Sequence, residues 1–170
     1  MAKGNLINKL FASGPLFLLY YLSISEIDTN LEKLFEVFSL NLQIIIIYFW
    51  IIKRPSIMGP GHIFLAGFIN DVVMGFPLGI SSLSYLVVCF VGNYVRNKSV
   101  NTTIASDWFT FLIALIFANF IFFSLLNNFS EVAISYAKIG YNTFFTLFLF
   151  PVFWLLFNLY QVSFIGSQDA

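Results

Sequence analysis

Apolar residues fall in six runs, separated by short polar breaks. The runs cover residues 10–25, 34–52, 60–74, 80–95, 106–126 and 139–160. A hydrocarbon layer of ~30 Å needs about 20 apolar residues in one helix. The pattern therefore predicts an all-α membrane protein with about six transmembrane helices. All of them belong to a single domain, 1–170. Ser13-Gly14-Pro15 interrupts the first run, and a kink is expected at Pro15. Its basic start and short apolar core also fit a cleaved signal, but Tyr20-Tyr21 and the runs that follow favour a retained span. The second run contains Asn41 and Gln43. Tyr48 and Trp50 lie near its end, where interfacial aromatics are expected. The third and fourth runs are short and form a hairpin around residues 75–79. Full crossing and a re-entrant pair are both open for them. Asp107-Trp108 begin the fifth run, and Pro151 places a kink in the sixth.

The stretch from Gly67 to Gly79 stands out within this pattern. It reads Gly-Phe-Ile-Asn-Asp-Val-Val-Met-Gly-Phe-Pro-Leu-Gly. On a helix, Gly67, Asp71 and Gly75 recur at steps of four and share one stripe. Small residues at this spacing let another helix backbone come close. A carboxylate facing lipid costs roughly 2.5–3.5 kcal/mol on insertion scales. Asp71 is therefore expected to face protein or a wet cavity. Pro77-Leu78-Gly79 should then stop the helix and turn the chain. Gly67, Asn70, Asp71, Gly75, Pro77 and Gly79 form the candidate site, for packing a partner or lining a polar cavity. Two roles stay open for Asp71. It could bind a partner, relay a proton or contact a polar ligand. It could instead reach water or cap the Pro77 turn.

Composition agrees with the pattern. The chain is 59% hydrophobic and 9% charged, with a mean hydropathy of +0.89. A soluble domain is about one-quarter charged. The net charge is zero and no basic run occurs, which argues against a nucleic-acid partner. The lone Cys89 reads as a small residue facing lipid or core. His62 is the only histidine, so no metal site and no Ser-His-Asp set is expected. His62 reads as an interfacial residue at a helix start. Asn41, Gln43 and Asn119 read as hydrogen-bonders between helices. No cofactor and no catalysis are expected. Charge then sets orientation. With six spans and a cytoplasmic N-terminus, Lys3, Lys9, Lys53, Arg54, Arg96 and Lys98 all fall inside. These are six of the eight basic residues, so both termini are expected in the cytoplasm.

Gly67-x-x-x-Asp71, Gly75 and Pro77-Leu78-Gly79, followed by an apolar span ending at Arg96, resemble the MreD family of rod-shape-determining proteins. Length, span count and cytoplasmic basic turns are similar too. The resemblance implies a bundle like the S-components of energy-coupling-factor transporters. It implies a non-enzymatic, multi-pass subunit of the bacterial cell inner membrane, in contact with membrane lipid. Such a subunit scaffolds peptidoglycan synthesis and rod shape with an MreC-like protein. Through it the chain would be linked to MreB and to the RodA–penicillin-binding-protein synthase. The alternative expectation is a transport subunit of the S-component type that binds a small ligand or lipid.

Overall fold

The computed structural model describes residues 13–25, 32–98, 103–129 and 136–165, with side chains at 32–41, 136–139 and 164–165 left out. Among these residues there are six α-helices and no strand. They are α1 (Gly14–Ile24), α2 (Glu32–Lys53), α3 (Pro60–Met74), α4 (Ile80–Lys98), α5 (Ile104–Phe129) and α6 (Tyr136–Tyr160). A π-helical turn, Gln161–Ile165, follows α6. Each apolar run is thus a helix, and α3 has the expected bounds. Residues 1–12, with Lys3 and Lys9, and residues 26–31, 99–102, 130–135 and 166–170 lie outside the described residues.

The centre of the bundle is the pair α2 and α4. On one side α1 and α3 close against them, and on the other α5 and α6 do so. From Gln43 to Ile51 every residue of α2 is at most 1% exposed, so this helix is covered on all sides. A helix apolar all round has this place by necessity. The finding corrects the expectation for Tyr48 and Trp50, which are core residues and not an interfacial belt. Tyr48 packs edge-on against Phe111 and Phe150 and shares a hydrogen bond with Thr110. Trp50 meets Phe157 and Tyr160. Their indole and phenol rings carry large apolar areas, and burial among other rings uses them fully.

Polar groups hold the centre together. Gln43 donates to Ser23 Oγ over 3.0 Å and accepts from the Tyr85 hydroxyl. This network ties α1, α2 and α4 together and satisfies side chains that are wholly buried. Asn119 donates to Thr143 over 2.8 Å and links α5 to α6. Gln43 and Asn119 therefore bond between helices, as their positions indicate, while the Asn41 side chain lies outside the described residues. Gly92 brings α4 close to α2, where an added Cβ would sit 3.0 Å from Ile51 Cγ2. With Tyr85 level with Gln43 and Gly92 level with Ile51, the two helices run parallel.

The outer surface has the reverse character. Phe120, Phe144 and Phe148 are 72%, 72% and 66% exposed, while Asp71, Ser81 and Thr146 are fully buried. Apolar outside and polar inside is the distribution expected where the solvent is lipid. Two stretches, Ile104–Phe129 and Gly140–Ser163, are long and apolar enough to cross a membrane.

Pro15 and Pro151 each have a physical account. Pro15 sits at the first turn of α1, where its missing N–H has no partner to lose. The expected kink at Pro15 is therefore replaced by a helix start. Pro151 lies inside α6 and leaves the carbonyl four residues earlier, at Leu147, without its helical donor. The Trp108 indole of α5 donates to that carbonyl over 2.9 Å. A defect in one helix thus becomes a bond between two. Trp108→Phe should cost about 1–2 kcal/mol, because it orphans the carbonyl. In a Pro151→Ala background the helix regains its own donor, and the same change should cost much less. Thermal unfolding of the four proteins in one detergent measures this cycle; equal costs in both backgrounds contradict the coupling.

Candidate functional site

The α3–α4 turn begins with glycine chemistry. Gly75 has φ +67° and ends α3 in the left-handed region. Phe76 N–H then donates to the Asp71 carbonyl over 2.9 Å, the six-to-one bond of a Schellman end. Gly79 has φ +99°, which side chains on other residues rarely adopt. Its carbonyl accepts from Leu83 N–H over 2.9 Å, so Gly79 opens α4. Pro77 lies between the two glycines and pre-sets the bend.

A helix start needs acceptors for its first N–H groups. Glycine at that position has no side chain to offer. Asp71 supplies the acceptor from the preceding helix instead. Its Oδ2 accepts from Gly79 N–H over 2.8 Å, and its Oδ1 from Ser81 N–H over 2.9 Å. Negative charge at a helix N-terminus is also favoured by the aligned peptide dipoles. Asp71 is 0% exposed. Its backbone closes the end of α3 and its carboxylate closes the start of α4. Of the two roles open for Asp71, the geometry is that of the cap at the Pro77 turn.

Gly67 is where the two helices touch. A Cβ added there would lie 2.5 Å from Ser82 Cα and 2.6 Å from Ser82 N. Only hydrogen fits. Asn70 Nδ2 donates to Ser81 Oγ over 3.0 Å, and Ser82 Oγ donates to the Phe64 carbonyl over 3.0 Å. Hence Gly67, Asn70 and Asp71 meet α4 of the same chain, and their face is already filled. This corrects the expectation that the stripe packs a partner helix. The nearest helix, joined by a short turn, occupies the groove first. Gly75 is corrected as well. It is exposed, it lies past the end of α3, and no atom would come within 4 Å of its Cβ. Pro77 and Gly79 belong to the turn and serve its geometry.

The serines Ser81, Ser82 and Ser84 form the other half of this contact, and sequence reasoning passed over them. Ser84 Oγ donates to the Ala118 carbonyl over 3.0 Å and extends the seam to α5. Small hydroxyl residues at the start of an apolar run were the available signal. A second polar cluster was also missed. Lys53, at the end of α2, lies 3.5 Å from Asp107 Oδ2 at the start of α5. Trp154 of α6 donates to the same oxygen over 3.1 Å, and Lys53 sits 5.3 Å from the centre of the Trp154 ring. Charge placement was the signal here, because Lys53 and Asp107 fall at the same end of the predicted bundle. Of the remaining single residues, Cys89 is buried in the core and accepts a weak bond from Asn93. His62 is exposed at the start of α3 and shares a hydrogen bond of 3.1 Å with Tyr20.

Among the described residues, fold and site together define an all-helical bundle with inward polar groups and two helices of membrane-crossing length. No protein-family model, curated protein or solved structure matches it.

Two substitutions test the seam, and a third, at Cys89 outside it, is the comparison. Gly67→Leu should prevent assembly or cost well over 3 kcal/mol, since backbone cannot yield as a flexible side chain does. Asp71→Ala should cost about 2–3 kcal/mol by orphaning two helix N–H groups. Cys89→Ser should cost less than about 1 kcal/mol, because Asn93 can still donate. Yield of monodisperse protein and unfolding midpoint in detergent rank the three. The Lys53→Met change should cost about 3 kcal/mol by leaving Asp107 uncompensated, and Lys53→Met with Asp107→Leu should recover most of it.

Proposed function

We propose that this chain is a non-enzymatic, multi-pass subunit of the bacterial cell inner membrane, of the MreD type. Its role is to scaffold peptidoglycan synthesis and rod shape with an MreC-like partner. One observation carries the proposal. The residues on which the resemblance rests, Gly67, Asp71, Gly75, Pro77 and Gly79, work together as one device. Gly67 admits α4, Asp71 caps it, and the two glycines shape the turn. A family signature that is also a structural unit has a physical reason to stay intact.

The inverted distribution of apolar and polar residues supports the six-span part of this reading. Parallel α2 and α4, with Lys53 and Arg54 ending one and Arg96 and Lys98 ending the other, support a common cytoplasmic end. Asp71 has both oxygens engaged by backbone N–H groups, which suits a structural part better than a proton acceptor. Because the Gly67 face is filled by α4, an MreC-like helix would meet an outward face of the bundle.

Co-purification tests the proposal. The tagged chain, extracted in mild detergent, should retain MreC from a rod-shaped host at near-equal amounts. Depletion of the chain in that host should give round cells. Failure to retain MreC at matched expression, with normal rods on depletion, would overturn the proposal.

A further inference from the structure

The α3 face is shorter than the rest of the bundle. A helix of 15 residues spans about 22 Å, while a hydrocarbon layer is about 30 Å thick. Gly67 meets Ser82, and α3 and α4 run antiparallel through their short turn. Counting back from that contact sets His62 level with Val87, nine residues and about 13 Å short of Arg96. A second route agrees. Ser23 bonds to Gln43, and Tyr20 lies three residues nearer the start of α1, which stands beside Trp50 through Gly14 and Tyr160. Tyr20 is therefore about 10 Å short of the level of Lys53. Tyr20 and His62 share their hydrogen bond at this depth. From Lys53 the chain descends to it as an irregular loop, residues 54–59, with Met58 turned into the core. Between Lys53 and His62 the exposed residues are Pro55, Ser56, Pro60, Gly61 and His62, and none exposes a large apolar side chain. Exposed apolar surface on α3 begins only at Phe64. On α5 it begins at Ile104, ahead of the Asp107 that meets Lys53. The bundle thus has a notch where α3 starts late, about one helix wide. It is flanked by α1 and α4, where Phe17 and Phe90 are exposed.

We propose that phospholipid headgroups, with their water, sink into this notch, so that the chain thins the bilayer at the start of α3. The proposal rests on the multi-pass placement above, but not on the identity of any protein partner. Irregular backbone and exposed polar side chains are not tolerated against acyl chains. The notch opens toward the end where Lys53, Arg96 and Asn97 stand, so the headgroup layer lies directly above it. A leaflet thins at a graded cost to match a short apolar surface. Dehydrating a loop has no such graded route. His62 and the Tyr20 hydroxyl then meet headgroups and water, while Phe64, Leu65, Phe68 and Val72 meet acyl chains. The fit is to the headgroup layer as such and does not require an anionic lipid.

The test uses the full chain with Cys89→Ser, which removes its one native thiol. A single cysteine is then placed by His62→Cys, Ile116→Cys or Asn97→Cys. Ile116 is 53% exposed and lies nine residues into the bundle from Asp107, so it matches the depth of His62 on the opposite side. Asn97 is exposed in the last turn of α4 and gives the headgroup reference. Each purified variant is labelled with bimane and reconstituted in phosphatidylcholine vesicles. The vesicles carry lipid with a nitroxide either on the headgroup or deep in an acyl chain. The His62→Cys site should be quenched mainly by the headgroup nitroxide, as Asn97→Cys is. Ile116→Cys should be quenched mainly by the acyl-chain nitroxide, and the ratio of the two should differ severalfold between these sites. Unfolding midpoints verify folding, and Gly61→Cys, whose Cβ would meet no atom within 4 Å, substitutes if His62→Cys does not fold. Equal ratios at His62→Cys and Ile116→Cys overturn the proposal. Reaction of His62→Cys with a water-soluble maleimide, without quenching by either lipid, overturns it in favour of an aqueous pocket walled by protein. Protection from both reagents overturns it in favour of a second copy seated on α3. Headgroup-type quenching at all three sites would instead remove the membrane placement itself.

Discussion

The bundle depends on a carboxylate that bonds to the backbone of the next helix. Asp71 accepts from Gly79 N–H and Ser81 N–H, and it lies out of contact with solvent. Without it, α4 would begin with unpaired donors in an apolar setting. Each such donor is costly, because a buried apolar setting offers nothing in exchange. The turn requires glycine for its dihedral angles, and glycine cannot cap. The cap must come from elsewhere, and one residue at the end of α3 is close enough to provide it. From this follows the angle at which α4 leaves the turn, and so the approach of Ser82 to Gly67. Since α4 is one of the two central helices, its placement reaches every other element directly or through α2.

The same trade recurs elsewhere in the chain. Pro151 removes a donor from α6, and Trp108 restores one from α5. Gln43 brings a polar side chain into the most buried part of α2, and Ser23 and Tyr85 satisfy it. In each case a group that one helix leaves unmet is met by its neighbour. Such bonds add directional information to packing that is otherwise apolar and permissive. Within an interior of many phenylalanines and isoleucines, they specify which face meets which.

Much of this was legible in the sequence, and the parts that were not share a cause. The bounds of α3 were readable because Pro60 and Gly75 are strong local signals for a start and an end. The bonding roles of Gln43 and Asn119 were readable because an amide inside an apolar run has few other options. The neighbour that fills the Gly67 groove was not readable. Small-residue spacing says that something approaches closely, but not whether it comes from the same chain. The depth of Tyr48 and Trp50 was misread because a uniformly apolar helix has no face to assign. The Lys53–Asp107 pair spans distant parts of the chain and leaves no local pattern. Local chemistry was visible, whereas partner identity had to await three dimensions.

The central position of α2 also has a consequence in time. Translation delivers α2 before α4 and α6, so most of its permanent neighbours are made later. Gln43 has Ser23 beside it almost at once, but Tyr85 emerges 42 residues afterwards. Lys53 waits longer still for Asp107. Until then the most enclosed segment of the finished bundle must stand at its edge, with an amide and an ammonium group partly unmatched. The middle of the bundle is therefore completed only once α4, α5 and α6 have been made.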